Sequence, residues 1–81
     1  MAHPNERVMV IVDTIERYLT ECPRAADTAQ GISRWWIERE GRDDSLANVQ
    51  QALDYLVSIE RLSRTVLADG TVIYARSARI S

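Results

Sequence analysis

Residues with the chemistry for catalysis or metal binding are scarce in this chain. Of its 81 residues, one is a histidine, His3, and one is a cysteine, Cys22. A Cys/His pair or a zinc site needs these side chains close together. His3 precedes the first predicted helix, however, and Cys22 lies on the apolar side of that helix. The three glycines, Gly31, Gly41 and Gly70, are isolated, so they form no glycine-rich phosphate loop. We therefore predict no enzyme activity, no metal ion and no cofactor.

The charge of the chain is balanced rather than basic. All ten basic residues are arginine, twelve residues are acidic, and the formal net charge is −2. Three arginines and five acids lie in residues 1–27, whereas residues 28–81 contain seven of each. Nucleic-acid-binding domains are usually basic, because neutralising phosphates supplies most of their non-specific affinity. Composition therefore gives no support to nucleic-acid binding, and such a function must rest on the arrangement of the residues.

Length and composition also limit the domain organisation and the compartment. A chain of 81 residues that is 46% hydrophobic fits a single domain over residues 1–81. No apolar run approaches the roughly 20 residues that span a membrane. The single cysteine excludes an internal disulfide and fits a reducing compartment. We predict one cytoplasmic domain whose ends, residues 1–4 and 78–81, fray.

The first helix is predicted to begin after Asn5, a good N-cap, and to end before Pro23. Apolar residues recur on one face of it at three- and four-residue spacing. This stripe consists of Val8, Ile11, Val12, Ile15, Leu19 and Cys22. Met9 and Val10 lie off the stripe. They are either isolated exposed residues, which are common, or part of a self-association surface.

The second helix is predicted to begin at a cap formed by Asp27 or Thr28 and to end near Glu38. Gly31, in its first turn, would let another backbone approach closely. The polar residues 39–44 then form the turn before the third helix. The residues predicted to face the core are Ala29, Ile32 and Trp35.

Two adjacent tryptophans, Trp35 and Trp36, lie in this second helix. Consecutive helical side chains point about 100° apart, so the two cannot both enter the core of so small a domain. We expect Trp35 to face inward and Trp36 to lie on the flank. Trp36 either completes the core at the corner between the second and third helices or is exposed as an anchor for another chain.

The third helix is predicted to begin at a cap formed by Asp44 or Ser45, and it has two contrasting faces. The residues expected to face the core are Leu46, Val49, Ala52, Leu53, Leu56 and Val57. The opposite face carries Ala47, Asn48, Gln51, Tyr55 and Ser58, with Asp54 at its margin. This opposite face is small and mostly polar, so we expect it to contact solvent or a binding partner.

After Glu60 the apolar pattern changes from helical spacing to alternation, which is typical of strands. The two alternating runs, residues 62–67 and 71–76, flank Asp69 and Gly70. Asp-Gly between such runs favours a two-residue type I′ turn, which needs positive φ at both central residues. We therefore predict a β-hairpin with Asp69 and Gly70 at its tip.

The order helix, helix, helix, hairpin resembles the winged helix-turn-helix superfamily. Members of this superfamily commonly have two apolar residues late in the third helix, a branched apolar residue that opens a strand, a polar turn and an aromatic residue that closes the hairpin. In this chain the corresponding residues are Leu53 and Leu56, Leu62, Asp69 and Gly70, and Tyr74. The resemblance extends from Val8 to Arg76. It implies an α+β winged helix-turn-helix fold, with three helices followed by a C-terminal β-hairpin wing and a short strand at residues 24–27. Many members have glycine after the third helix, whereas this chain has Glu60 and must turn there without glycine's freedom.

The resemblance also implies a function, that of a DNA-binding transcriptional regulator whose third helix enters the major groove. Asn48 and Gln51 would contact bases, because an amide can pair with adenine through two hydrogen bonds. Tyr55 would reach a phosphate or pack on a sugar, with Ala47 on the same face. The arginines implied as phosphate contacts are Arg34, Arg39, Arg42, Arg64 and Arg76.

The residues themselves leave a second function open. No arginine or lysine occurs from Ser45 to Ile59, and Asp54 and Asp69 would repel phosphate from the helix and the hairpin tip. The alternative is an adapter or regulatory winged helix that binds a protein, with Tyr55 as an anchor.

Both functions leave room for a simpler interpretation of the same side chains. Asn48 and Gln51 could be an ordinary solvated helix face, and the arginines could pair with nearby acids, as Arg42 could with Glu38. A homodimer is compatible with either function, and the residues available for it are Met9, Val10 and Trp36. Neither a membrane nor a small-molecule partner is predicted.

Overall fold

The helices and strands follow the predicted order. The computed structural model describes residues 5–37 and 45–77; the chain ends and the predicted turn at residues 39–44 lie outside these ranges. The elements are helix α1 (Glu6–Glu21), strand β1 (Ala26–Asp27), helix α2 (Ala29–Gly31), a π-helical segment (Ile32–Ile37), helix α3 (Leu46–Ser58) and strands β2 (Leu62–Val66) and β3 (Val72–Arg76). The fold is α+β, with three helical regions, a C-terminal hairpin and a short strand between the first two helices, as predicted.

Helix α1 forms the core with α3. Asn5 caps it, because the Asn5 side-chain oxygen accepts a hydrogen bond from the Val8 N–H at 2.9 Å. The predicted stripe is buried from Val8 to Leu19, and Cys22 is half-buried. The stripe belongs to one core cluster with Val49, Ala52, Leu53, Leu56, Leu62 and Tyr74. Burying one large apolar side chain contributes about 1.5–3 kcal/mol, so this cluster is the main source of stability.

The three strands form one antiparallel sheet in the order β1-β3-β2. Strand β2 pairs with β3 along its whole length, from Leu62 opposite Arg76 to Val66 opposite Val72. Side chains alternate between the faces of a sheet, and Leu62 and Tyr74 on one face are buried. The hairpin of β2 and β3 is therefore anchored to the helices by one of its faces.

The second helical region buries the tryptophan that was expected on its flank. Trp36 is 2% exposed and stacks on Tyr18, with ring centroids 4.5 Å apart, whereas Trp35 is 64% exposed. The prediction that Trp35 faces the core is therefore wrong. In a π-helix, hydrogen bonds join residues i and i+5, so one turn takes more residues than in an α-helix. Trp36, four residues after the buried Ile32, consequently stays on the inward face while Trp35 turns away from it.

Helix α3 buries most of the predicted face, namely Val49, Ala52, Leu53 and Leu56, whereas Val57 is half-buried against the core. Ser45 is the cap, and its hydroxyl oxygen accepts a hydrogen bond from the Asn48 N–H at 3.2 Å. The prediction that Leu46 faces the core is wrong, because this side chain is 43% exposed. Leu46 is the first residue of α3 and lies three residues before Val49, the first buried residue of the helix.

The start of α2 explains the glycine in its first turn. Thr28 is the cap, and its hydroxyl oxygen accepts a hydrogen bond from the Gly31 N–H at 3.0 Å. The Asp27 carboxylate accepts one from the Thr28 N–H at 2.8 Å. A methyl group at Gly31 would overlap this carboxylate. The close approach that was predicted here is thus made by a side chain rather than by a backbone.

The turn after α3 uses a residue other than glycine, as expected. Glu60 has a φ of 62°, in the left-handed region. The Arg61 N–H donates to the Leu56 carbonyl at 2.9 Å, and the Glu60 N–H donates to the Val57 carbonyl at 3.0 Å. This is the Schellman arrangement, which often ends helices. The left-handed conformation costs a residue with a Cβ atom about 1–2 kcal/mol.

Substituting Glu60→Gly is therefore expected to stabilise the protein by up to about 1 kcal/mol. The relief of strain exceeds the entropy that glycine adds to the unfolded chain. Urea denaturation followed by circular dichroism measures this change. Glu60→Ala keeps the strain and serves as the control; a glycine variant no more stable than the alanine variant would contradict the explanation.

Candidate binding surface

One face of α3 is not covered by any described part of the chain. Its exposed residues, which we call the outer face of α3, are Ala47, Gln51, Asp54 and Ser58. They recur at three- and four-residue spacing, so they form a continuous strip opposite the buried side. Asn48 and Tyr55 are half-buried beside this strip, and Tyr55 packs against the core. The predicted base-contacting residues thus share one side of the helix, with Gln51 the most open to solvent.

A hydrogen-bond bridge fixes α3 against the hairpin. The Gln50 side-chain amide donates to the Tyr74 hydroxyl oxygen at 2.8 Å and to the Asp54 carboxylate at 3.0 Å. Tyr74 is buried in the central strand, so the bridge sets how the hairpin lies relative to the outer face. No local sequence pattern predicts this role for Gln50, because its partner is 24 residues away along the chain.

Arg64 lies on the side of the hairpin that faces α3. It is directly opposite Tyr74 in the β2–β3 pairing, and opposed residues of an antiparallel pair point to the same face. The Tyr74 hydroxyl contacts Gln50, so this face adjoins the flank of α3. Arg64 is exposed and makes no ion pair with any residue in ranges 5–37 and 45–77. Its charge is therefore available to a ligand lying along α3.

The other predicted phosphate contacts do not all share this position. Arg34 is exposed and lines a groove of about 530 Å³ with Trp35 and Leu46, which places it beside the start of α3. Arg76 lines a different cleft, of about 200 Å³, with Glu16 and Leu56 near the end of α3. The structure thus brings Arg34 and Arg64 toward the first half of α3 and leaves Arg76 elsewhere. The remaining two, Arg39 and Arg42, lie outside the described residues.

The cleft beside Arg76 contains a surface ion pair. The Arg61 guanidinium lies 3.6 Å from the Glu16 carboxylate, and both side chains are partly exposed. Exposed pairs of this kind contribute about 0–1 kcal/mol, because water and salt screen them. This pair therefore joins the hairpin to α1 only weakly.

The tip of the hairpin has a different turn from the one predicted. The Gly70 N–H donates to the Leu67 carbonyl at 2.9 Å, and the Leu67 N–H donates to the Thr71 carbonyl at 2.7 Å. Gly70 has a φ of 91°, whereas Asp69 does not have positive φ. The two-residue type I′ prediction is therefore wrong. The loop has three residues and carries its glycine in the left-handed position, the second common way to close a hairpin.

Asp69 stabilises this turn through its side chain. Its carboxylate accepts a hydrogen bond from the Thr71 N–H at 2.9 Å. Hydrogen bonds from the Thr71 backbone and side chain hold the pKa of Asp69 below its ordinary value of 3.8. The acid at the hairpin tip is thus explained by turn formation, although its charge still faces solvent.

This hydrogen bond predicts a pH dependence of hairpin stability. A carboxyl whose folded-state pKa is lowered contributes stability above its unfolded pKa and loses it as the pH falls through the folded value. We expect the contribution of Asp69 to be present above its ordinary pKa of 3.8 and to be lost as the pH falls below that value. Asp69→Asn keeps an oxygen acceptor without the titration. The stability difference between wild type and this variant should therefore change as the pH falls, and a constant difference would contradict the assignment.

The residues predicted for self-association are not equally available. Trp36 is buried against Tyr18, so it cannot contact another chain, contrary to that hypothesis. Met9 is half-buried and packs against the core, whereas Val10 is 41% exposed. Val10 is therefore the most exposed of the three.

The described residues show no metal cluster and no membrane span. No group of three or more histidine, cysteine, aspartate or glutamate side chains within them could hold a metal ion. None of their helices is both long and apolar enough to cross a bilayer. Comparisons with protein-family models, with curated proteins and with solved structures find no match to this chain.

Proposed function

We propose that this chain is a winged-helix domain that binds double-stranded DNA as a cytoplasmic transcriptional regulator. The observation that carries the proposal is the outer face of α3, which no described residue covers and which lies beside Arg64, a cation without an ion pair among the described residues. An exposed helix face with a cation on the adjoining hairpin suits double-stranded DNA, because the helix can enter a groove while the cation contacts a phosphate. The helix would lie in a major groove and Arg64 would contact the backbone.

The dimensions and side chains of α3 suit a major groove. Its 13 residues extend about 20 Å, and the groove is about 12 Å wide, which admits one α-helix. Ala47 is small enough to let the helix approach the base edges closely. Gln51 is exposed at the centre of the face, and its amide can donate to and accept from adenine. We assign Gln51 as the main base contact, with Asn48 beside it.

The expected affinity is modest, because few cations adjoin this face. Arg34 and Arg64 are the described arginines near the first half of α3. Each phosphate contact contributes about −0.9 to the slope of log affinity against log salt, so two contacts give a slope of about −2. Contacts by Arg39 and Arg42 would make the slope steeper. Asp54, which belongs to the outer face of α3, opposes binding by repelling phosphate.

Titration of a labelled mixed-sequence duplex tests this proposal. Fluorescence anisotropy should detect binding at about 20 mM salt, and two phosphate contacts predict a loss of roughly fortyfold by about 150 mM. Affinity that is absent at the lower salt concentration, or that does not fall as salt rises, would rule out binding through phosphate contacts.

A second candidate function is supported by a different part of the surface. Trp35 is 64% exposed, Leu46 is 43% exposed, and both line the same groove, where they form a small apolar patch among mostly polar residues. Tryptophan is among the residues that most often carry binding energy at protein interfaces. The alternative is therefore a domain that binds a protein at this patch rather than DNA at the outer face of α3. If Trp35→Ala leaves duplex binding unchanged, DNA is favoured as the ligand of the outer face of α3.

A further inference from the structure

Strand β2 forms an open edge of the sheet. In the order β1-β3-β2 it pairs with β3 on one side, and no described strand covers its other side. Residues 63–67 are all exposed. Edge strands are commonly protected by proline, by a bulge or by charged side chains. Neither a proline nor a bulge interrupts β2, which pairs regularly with β3 at every position, and Arg64 is its one charged residue.

The backbone groups of the open edge can be identified from the pairing. The Leu67 N–H donates to the Thr71 carbonyl, and the Ser77 N–H donates to the Arg61 carbonyl. Hydrogen-bonded and non-hydrogen-bonded pairs alternate along an antiparallel ladder. The odd-numbered residues of β2 therefore bond to β3. The N–H and C=O groups of Arg64 and Val66 consequently point away from it, toward the open edge.

Two large apolar side chains accompany these backbone groups. Val66 is 55% exposed and Leu67 is 46% exposed, on opposite faces of the hairpin near its tip. A further strand added to β2 would shield both while satisfying the unpaired backbone groups. Both features favour a β-strand as the missing neighbour.

We propose that the neighbour is β2 of a second copy of this chain, paired antiparallel so that Thr65 lies opposite Thr65 of the second copy. In this register Arg64 and Val66 of each copy exchange backbone hydrogen bonds with Val66 and Arg64 of the other. The register one step earlier would place Arg64 directly opposite Arg64, where like charges repel. The proposed register satisfies the edge hydrogen bonds without placing the two Arg64 side chains directly opposite each other.

The same register has a complementary charge contact at each end. It brings the hairpin tip of one copy, with the exposed Asp69, beside the start of β2 in the other copy, where Arg61 lies. Arg61 is paired with Glu16 but remains half-exposed, so its guanidinium can also attract this carboxylate. Two such contacts, related by the two-fold axis, favour a second copy over an arbitrary extended peptide.

The dimer would be a continuous six-stranded sheet with both α3 helices on one side. A two-fold axis perpendicular to the sheet keeps the helix-covered faces of both copies on the same side. The interface uses the edge of β2 and neither the outer face of α3 nor Val10. It therefore goes beyond the proposed function and does not depend on the nature of the ligand.

Cysteine cross-linking tests the register directly. In a Cys22→Ala background, Thr65→Cys places two thiols opposite each other in a non-hydrogen-bonded pair, with Cβ atoms about 4.5–5.5 Å apart. Ser63→Cys is the matched control. It lies on the same strand and face, but it would be about 14 Å from its counterpart, because it lies opposite Leu67 of the second copy. We expect the Thr65→Cys protein to form a disulfide-linked dimer at least about tenfold faster under mild oxidation. Equal rates for the two variants would overturn the proposal.

Sedimentation at micromolar to millimolar concentration tests the dimer without a cross-link. The wild-type protein should show a concentration-dependent dimer. Val66→Pro removes an edge N–H while leaving the β3 hydrogen bonds intact, so it should be monomeric and remain folded by circular dichroism. Val10→Asp, a change on α1, should dimerise like the wild type. A wild-type monomer throughout the range, or a dimer lost with Val10→Asp and kept with Val66→Pro, would overturn the proposal.

Discussion

Replacing Trp36 with alanine is expected to lower the free energy of unfolding by about 3–5 kcal/mol, which is the usual cost of removing a buried large aromatic side chain. Trp36 is almost completely buried and stacks on Tyr18 of α1, so its loss leaves a cavity between two helices. Stacked aromatic pairs add about 0.5–1.5 kcal/mol beyond the area they bury. Urea denaturation followed by far-ultraviolet circular dichroism measures the change without depending on tryptophan fluorescence.

Trp35→Ala is the matched control for this prediction. The same substitution one residue earlier removes a mostly exposed side chain, so it should change stability by less than about 0.5 kcal/mol. Small domains are stable by only about 5–15 kcal/mol, and Trp36→Ala could therefore unfold the protein outright. Trp36→Phe, which keeps an aromatic ring against Tyr18, should give a measurable intermediate loss. Similar costs for the two alanine variants would contradict the described burial.

Replacing Arg64 with glutamine is expected to weaken duplex binding by about tenfold at low salt and to reduce the salt slope by about 0.9. Arg64 lies opposite Tyr74, on the hairpin face that adjoins α3, and makes no ion pair within the described ranges. Its removal therefore costs one phosphate contact and disturbs no internal pair. Anisotropy titrations of both proteins at several salt concentrations give the affinity and the slope together.

Arg24→Gln separates this contact from a general effect of charge. Arg24 is also exposed, but it lies in the connection between α1 and β1. The two variants lose the same charge, so they change the net charge of the protein equally. At about 0.1 M salt, Arg24→Gln should lower affinity by less than about twofold, because exposed charges more than about 10 Å apart are largely screened there. Equal effects of the two substitutions would show that Arg64 makes no specific contact.

The parts of the fold that were predictable are those specified by local patterns. The structure confirms the apolar stripe from Val8 to Leu19 and the helix caps Asn5 and Ser45. It also confirms the change from helical to strand spacing after Glu60, at the boundary between α3 and β2. In such stretches, burial follows directly from the spacing of apolar residues. The exposed side of α3, including Gln51, follows from the same periodicity.

The features that were missed depend on contacts between distant residues or on backbone geometry that periodicity does not encode. Helical spacing places both Trp35 and Trp36 near the face of Ile32, and the π-helical segment together with the partner Tyr18, in a different helix, decides that Trp36 is the buried one. In the sequence Gln50 resembles any other polar helix residue, because the Tyr74 hydroxyl that its amide contacts belongs to a distant strand. The Asp-Gly dipeptide is compatible with a two-residue type I′ turn and with a three-residue loop, and the sequence pattern favours the first, whereas the structure has the second.

Amide chemical-shift mapping by NMR would locate bound DNA on the surface of the protein residue by residue. A labelled protein would be titrated with a short mixed-sequence duplex at low salt. The proposed function predicts that the shifts concentrate on the outer face of α3 and the hairpin face beside it, at Ala47, Gln51 and Arg64. Shifts confined to Trp35 and Leu46, or no shifts at all, would contradict a DNA-binding surface on α3.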